Sequence, residues 1–342
     1  MLKAKVAVVI LNWNGKLFLQ KFLPAVIKNS DSATIYIADN NSTDDSISFL
    51  ENNYPDIKII KNKSNSGFAK GYNEALKHID AEYFVLLNSD VEVTPNWIEP
   101  IIDVMIADEN ISACQPKILD FKNKSNFEYA GAAGGYIDKF GYPFCRGRLF
   151  NDIEIDNHQY DNVTEIFWAT GACMFLKAKA FWEVGGFDDD YFAHMEEIDL
   201  CWRMKNMGHK IFVVPTSLVY HVGGGTLNKI NPKKTFLNFR NNLITLIKNS
   251  DSKFLFFKLL VRMILDGVAA YKFLFEGNGR HFLAVAKAHL WFYIMLPSTL
   301  KKRAIMKRKL GFKFNTNSIY QVNIVYLHFI KGIKIFSKIE GK

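Results

Sequence analysis

The sequence predicts an α/β fold: a mixed sheet with helices on both faces, followed by a helical C-terminal extension. Three observations carry that expectation. Short apolar runs alternate with amphipathic stretches of helical spacing through the first 110 residues, as strand–helix–strand units do. A polar cluster follows most of the strand-like runs, where open α/β sheets bind ligands. The charge also changes sign along the chain. Residues 1–235 hold 24 Lys/Arg and 30 Asp/Glu, whereas residues 236–342 hold 19 and 4.

Taken in order, Val6 to Leu11 is a continuous apolar run of strand length, and Leu17, Phe18, Phe22, Leu23, Val26 and Ile27 recur at helical spacing. Thr34 to Ala38 reads as a strand and Asp44 to Asn52 as a helix. Ile57 to Ile60 and Phe68 to Ile79 repeat the pair, as do Tyr83 to Leu87 and Trp97 to Ala107. Residues 120–161 are polar and glycine-rich, which predicts a hairpin excursion or lid. Glu165 to Leu176 resumes regular structure. A helix from Met195 to Met207 and strands at Lys210 to Val214 and Leu218 to His221 complete a first unit, residues 1–232.

Residues 233–342 differ. Phe254 to Phe275 and Phe282 to Leu296 are apolar and aromatic, yet the first carries Lys258, Arg262, Asp266 and Lys272. A bilayer span needs about 20 mostly uncharged residues, and the second segment is shorter than that and is broken by Lys287 and His289, so amphipathic helices lying in a membrane interface fit better. The basic run Lys301-Lys302-Arg303 with Lys307-Arg308-Lys309 follows and matches an anionic membrane surface. The four cysteines lack metal-ligand spacing and read as reduced thiols. The N-terminus lacks the apolar core of a secretory leader. These features predict a cytoplasmic protein, peripheral on the inner membrane.

Four polar clusters can carry chemistry. Asn12-Trp13-Asn14-Gly15 offers an aromatic to stack on a base and an amide to bond its edge. Asp39 stands at the end of the second strand, ahead of the capping candidates Ser42, Thr43 and Asp44. Asn65, Gly67 and Lys70 open a helix, where backbone N–H groups can meet a phosphate. Asn88-Ser89-Asp90 follows the most apolar strand, and a carboxylate there can hold Mg²⁺ or Mn²⁺ against a diphosphate. Each cluster alone is also compatible with an ordinary turn or cap.

Together the clusters resemble the family-two inverting glycosyltransferases, which have the GT-A, Rossmann-like nucleotide-diphospho-sugar transferase fold, and within them the bacterial rhamnosyltransferase-like branch. The resemblance runs from Val6 to Thr226. It implies a nucleotide-diphospho-sugar donor bound by Asn12, Trp13, Asp39, Asn65, Gly67, Lys70, Asn88, Ser89 and Asp90. Trp168, Thr170, Gly171, Glu196, Asp199 and Arg203 match the acceptor side. Asp90 and His221 match the ligands of a divalent metal, Mg²⁺ or Mn²⁺, and Glu197 matches the catalytic base. Two positions depart from the family pattern: Asn88 stands at the first position of the DXD metal motif, and Glu196-Glu197 replaces Glu-Asp.

The residues support that assignment independently. Adjacent carboxylates repel and raise at least one pKa toward a useful range for a general base. Arg203 is spaced to pair with Asp199. The resemblance further implies a saccharide or lipid-linked saccharide acceptor and a place in cell-surface polysaccharide synthesis. Two other classes compete. The basic tail suits a nucleic-acid-binding protein, but the acidic first unit and the lack of a recognisable nucleic-acid module argue against one. A sugar nucleotidyltransferase would show a glycine-rich loop with a lysine near the first strand, and none is evident there.

Overall fold

The structure, a computed structural model, describes residues 5–223, 231–251, 253–311 and 319–340. The first unit alternates as its periodicity predicts: β1 (Val6–Asn12), α1 (Lys16–Lys28), β2 (Ala33–Asp39), α2 (Ser46–Asn53), β3 (Lys58–Lys61), α3 (Gly67–Leu76), β4 (Tyr83–Asn88), β5 (Val91–Val93), α4 (Glu99–Ala107) and β6 (Ile111–Asp120). The glycine-rich segment forms a small antiparallel sheet from β7 (Gly135–Ile137), β8 (Pro143–Cys145), β9 (Arg148–Leu149) and β10 (Asp152–Ile153). The chain then runs through β11 (Thr164–Glu165), β12 (Cys173–Lys177), α5 (Ala178–Glu183), α6 (Glu196–Asn206) and β13 (Lys210–His221).

The main sheet has the order β11–β13–β6–β12–β4–β1–β2–β3, with β5 paired to β13. β1 to β4 are parallel and β12 runs antiparallel to β4, so the sheet is mixed. Alternation along each strand divides the core. In β1, Ala7 and Val9 face one apolar cluster while Val6, Val8 and Ile10 face the other. Burying each such aliphatic side chain contributes about 1.5–3 kcal/mol. The two strands expected at 210–214 and 218–221 are one strand, irregular between Val214 and Leu218, where Pro215 interrupts the ladder.

The C-terminal region is helical: α7 (Pro232–Asn249), α8 (Leu255–Phe275), α9 (Gly279–Leu310), α10 (Ile324–Phe329) and α11 (Ser337–Glu340). α7 packs along α6 and α9. Asn206 of α6 donates to Asn249 O at 3.0 Å, and Lys248 reaches Asp199 at 2.8 Å. The segment expected to be too short for a span is part of α9, and that expectation is corrected. Gly279–Arg308 is long and apolar enough to cross a bilayer. Lys287 and His289 do not end the helix, because its hydrogen bonds run through them. All four cysteines are buried and unpaired.

Candidate active site

The donor-side residues gather at the C-terminal ends of β1, β2 and β4. The parallel pairing puts Asn12 beside Asp39 and Leu11 beside Asn88. Asn12 Nδ2 donates to Asp39 Oδ1 at 3.0 Å and to Ser42 Oγ at 3.1 Å, while Ser42 N–H donates to Asp39 Oδ2 at 3.0 Å. The Asp39 carboxylate is therefore buried and fixed in orientation, with lone pairs left for a ligand. Asn12 Oδ1 is buried with no hydrogen-bond partner. Gly15 leaves room for it, since a Cβ there would lie 2.5 Å from that oxygen. Trp13 is 46% exposed, free to stack on a base.

Two donor-side expectations do not survive. The N–H groups at the start of α3 do not face a phosphate. Gly67 N–H donates to Asn65 Oδ1, and Phe68 N–H donates to Phe192 O at 2.6 Å. Gly67 serves that contact: its φ is +81°, and a Cβ would lie 2.3 Å from Phe192 O. Lys70 points elsewhere, pairs with Glu74 at 3.8 Å, and lines a cavity of about 470 Å³ with Trp182 and Lys302.

The metal-side residues meet through tertiary pairing. β5 and β13 run antiparallel with His221 opposite Val91, so His221 Nε2 lies 3.1 Å from Asp90 Oδ1. Glu128, from the glycine-rich segment, lies 3.3 Å from His221 Nδ1. Burial disfavours the imidazolium, but Glu128 and Asp90 outweigh it and raise the His221 pKa to about 10. A carboxylate, an imidazole nitrogen and a second carboxylate 3.3 Å from the other ring nitrogen form a donor set that fits a divalent ion completed by diphosphate oxygens. A bound ion takes the place of the imidazole proton. Asn88 is half-buried, with its N–H donated to Ala172 O at 2.9 Å, and its side chain adds no charge. Ser89 is also half-buried and sits close to Gly15. Of the glycines after His221, Gly224 and Gly225, together with Thr226, lie outside the described residues.

A second acidic group, Asp156, His158 and Asp161, has ligand atoms close together. Lys117 already pairs with both carboxylates, so an ammonium fills the position a cation would take.

The catalytic candidate lies at the start of α6. Phe192, His194 and Met195 all have positive φ, at 64°, 68° and 75°. Three such non-glycine residues within four positions hold backbone strain of the kind found at functional sites. Glu196 Oε2, Glu197 Oε2 and His194 Nε2 are buried without partners. Burial raises the Glu197 pKa to about 7, and burial followed by repulsion from Glu197 raises Glu196 further. His194 is pushed down to about 4 by burial and then by Lys234, so it stays neutral. Burial raises the Cys145 pKa, and the charges of Glu128 and Glu197 add to it.

Four acceptor-side expectations are corrected. Asp199 is turned inward and Arg203 lines the cavity beside Lys70: Arg203 Nε donates to Asp199 Oδ2 at 2.9 Å, and Lys248 and Asn249 complete a buried network. Trp168 is core, donating from Nε1 to Tyr136 O at 3.0 Å. Thr170 is buried and accepts from Ala172 N–H. Gly171 and Glu196 remain next to the site; a Cβ on Gly171 would press 2.9 Å from the Phe68 ring.

Three residues were missed by sequence reasoning. Glu128 carries no motif. Asn241 of α7 donates to Tyr191, Ala193 and His194 carbonyls at 3.1, 3.0 and 2.7 Å, and Arg240 donates to Asp190 and Tyr191 carbonyls. Together they clamp the strained loop ahead of Glu197.

Comparison with known proteins agrees with this geometry. The model of one family, "Glycosyl transferase family 2", matches residues 7–185, just over half of the chain. An N-acetylglucosaminyl-diphospho-decaprenol L-rhamnosyltransferase of Mycobacterium tuberculosis is 25% identical over 222 residues, 59% of this chain and 71% of that protein. A low-salt glycan biosynthesis hexosyltransferase of Haloferax volcanii is 22% identical over 204 residues, 58% of this chain and 61% of its own. Among solved structures, GalNAc-T7 with UDP, GalNAc and Mn²⁺ superposes with a TM-score of 0.58 at 16% identity, covering 73% of this chain and 49% of that one. A Pyrobaculum calidifontis mannosyltransferase in complex with GDP-Man and Mn²⁺ gives 0.51 at 13% identity, covering 90% and 82%. These superpositions establish the GT-A fold.

Proposed function

Because this chain belongs to glycosyl transferase family 2, we propose that it transfers a single sugar from a nucleotide-diphospho-sugar to a hydroxyl of a saccharide or lipid-linked saccharide, with inversion. It is a glycosyltransferase; the donor sugar, the acceptor and the stereochemical course are our reading. One observation carries it: Glu197, at the strained start of α6, keeps a buried carboxylate oxygen without a hydrogen-bond partner and has its pKa raised by burial to about 7.

Trp13 stacks on the base and Asp39, held by Asn12, accepts from its edge or the ribose. Asp90 and His221 hold a divalent ion, with Glu128 fixing the imidazole. The ion supplies charge neutralisation at the departing nucleoside diphosphate. Glu197 takes the acceptor hydroxyl proton as that oxygen attacks the anomeric carbon from the side opposite the leaving group. The neutral His194 and protonated Glu196 add no competing charge.

Similarity to the M. tuberculosis rhamnosyltransferase supports rhamnose as the sugar, cell-surface polysaccharide as the pathway, and a bacterial setting. The charge split supports a peripheral place on the cytoplasmic face of an anionic membrane. A thermal-shift screen of UDP-, dTDP- and GDP-sugars with Mn²⁺ or Mg²⁺ tests the reading. Ligand at 100 times its Kd contributes about 2.7 kcal/mol. Stabilisation by one of these sugar nucleotides only when metal is present is the expected result, and no response to any sugar nucleotide would overturn the reading.

A further inference from the structure

We infer that the outer faces of α8 and α9 form a docking surface that lies in the plane of an anionic bilayer without crossing it. The inference deepens the membrane reading above and rests on it. The carrying observation is that α8 is built inside out. Its buried residues are Arg262, Asp266 and Ala270. The Arg262 guanidinium stacks 3.5 Å over the Tyr142 ring and donates to Phe140 O, and Asp266 Oδ2 lies 3.2 Å from His289 Nε2 of α9. Two of the four charges that interrupt this apolar segment in sequence, Arg262 and Asp266, are thus turned inward, while Lys272 stays exposed beside the stripe. The outward stripe is Phe256, Leu260, Ile264, Val268, Tyr271 and Phe275, at helical spacing, with Phe256 82% and Phe275 86% exposed. A helix facing water has the opposite arrangement.

α9 extends the face with Leu283, Leu290, Trp291 and Ile294. Of the 27 exposed large hydrophobic residues among those described, 20 lie between positions 254 and 335, so the patch is a regional feature and not scattered surface. The occupant follows from charge. The exposed ionic residues flanking the stripe are mostly basic, among them Lys253, Arg280, Lys287, Lys301 and Lys307, with Glu276 the acidic exception among the described residues of α8, α9 and their connection. Two copies meeting face to face would oppose like charges, whereas anionic headgroups complement them.

α9 has the length to span, but its position forbids it. Ala284, Val285, Ala288 and Phe292 are buried, and Arg303 donates to the carbonyl of Ile247 in α7. One side of α9 is thereby fixed to the helix that clamps the catalytic loop, leaving only the other side for lipid. The docking face also starts beside the site. Thr235 Oγ1 lies 2.7 Å from His281 Nδ1, tying the starts of α7 and α9 together, and the Lys233 ammonium sits 4.5 Å over the Phe192 ring. The turn between Phe275 and Leu283 is therefore at the catalytic-loop end of the helices, the placement an acceptor carried on a lipid requires.

The test uses the full chain with phosphatidylcholine vesicles, with and without phosphatidylglycerol. Co-sedimentation with the anionic vesicles is expected. Ile264→Glu and Val268→Glu should weaken it by about tenfold or more, while Ile106→Glu, on an exposed site outside the patch, leaves it unchanged. Trp291 fluorescence, corrected with Trp291→Phe, should be quenched more by bromines near the headgroup than by bromines at the acyl terminus. Absence of vesicle binding, binding that survives both Glu variants, or strongest quenching at the acyl terminus overturns the inference. So does a lipid-free dimer in sedimentation velocity that these variants dissolve, because that result assigns the face to a second copy. Sugar-nucleotide binding in solution is unaffected by these variants, and its loss in the wild-type chain would count against the transferase reading alone.

Discussion

The two halves of the candidate site are built differently. The donor half is drawn from residues 12–90 at the ends of β1, β2 and β4, and its partners come from one parallel sheet: Asn12, Asp39 and Ser42 bond one another across a single strand pair. The catalytic half is assembled over distance. His221 meets Asp90 across 131 positions, and Asn241 reaches back 47 positions to His194. The first half is ordered by the sheet that forms it. The second depends on a loop with three left-handed residues that α3 grips on one side and α7 on the other. Chemistry is concentrated in the half that costs more to hold.

The comparison can be broken first at Glu197. Glu197→Gln removes the base and should lower kcat by about 10²–10⁴ with donor binding intact; comparing turnover with a donor titration checks this. In the wild type, kcat should rise with pH through about 7 as the buried carboxyl ionises. The sign for stability is opposite. The folded pKa lies above the unfolded value, so the contribution of Glu197 to stability is fully present at low pH and is lost as pH rises from the ordinary carboxylate range through about 7. Denaturant titrations of wild type and Glu197→Gln should diverge over that window.

Next in size is Glu128→Gln. With the imidazole less firmly oriented, metal affinity should fall about 10–100-fold, read by metal titration of donor binding, while base stacking on Trp13 is unaffected. Asn241→Leu leaves the Ala193 and His194 carbonyls without this donor, while the Tyr191 carbonyl keeps Arg240. It should cost about 1–3 kcal/mol by chemical denaturation and lower kcat more than it changes KM. The smallest effect sharpens the contrast: Lys70→Ala removes an exposed i,i+4 pair of about 0.3–0.5 kcal/mol and should leave donor affinity unchanged in a binding titration.

The sequence by itself determined the strand–helix alternation, the donor cluster, the acidic start of α6 and the basic C-terminal region. These are local properties: periodicity sets which face of a strand or helix is buried, and a polar residue directly after a buried strand emerges at the sheet edge. Asp39 and Asp90 were legible for that reason. Asp199 and Arg203 share a helix with Glu197 and look alike in sequence, but a helix shows different faces to different neighbours, and only the packing of α7 made them interior. Gly67 read as a phosphate contact until the Phe192 carbonyl was seen to occupy its place. Glu128 and Asn241 carry no motif, because their roles exist only where β6, β13 and α7 bring distant segments together. Tertiary structure also turned Arg262 and Asp266 inward, which changed an interrupted apolar stretch into a continuous apolar face.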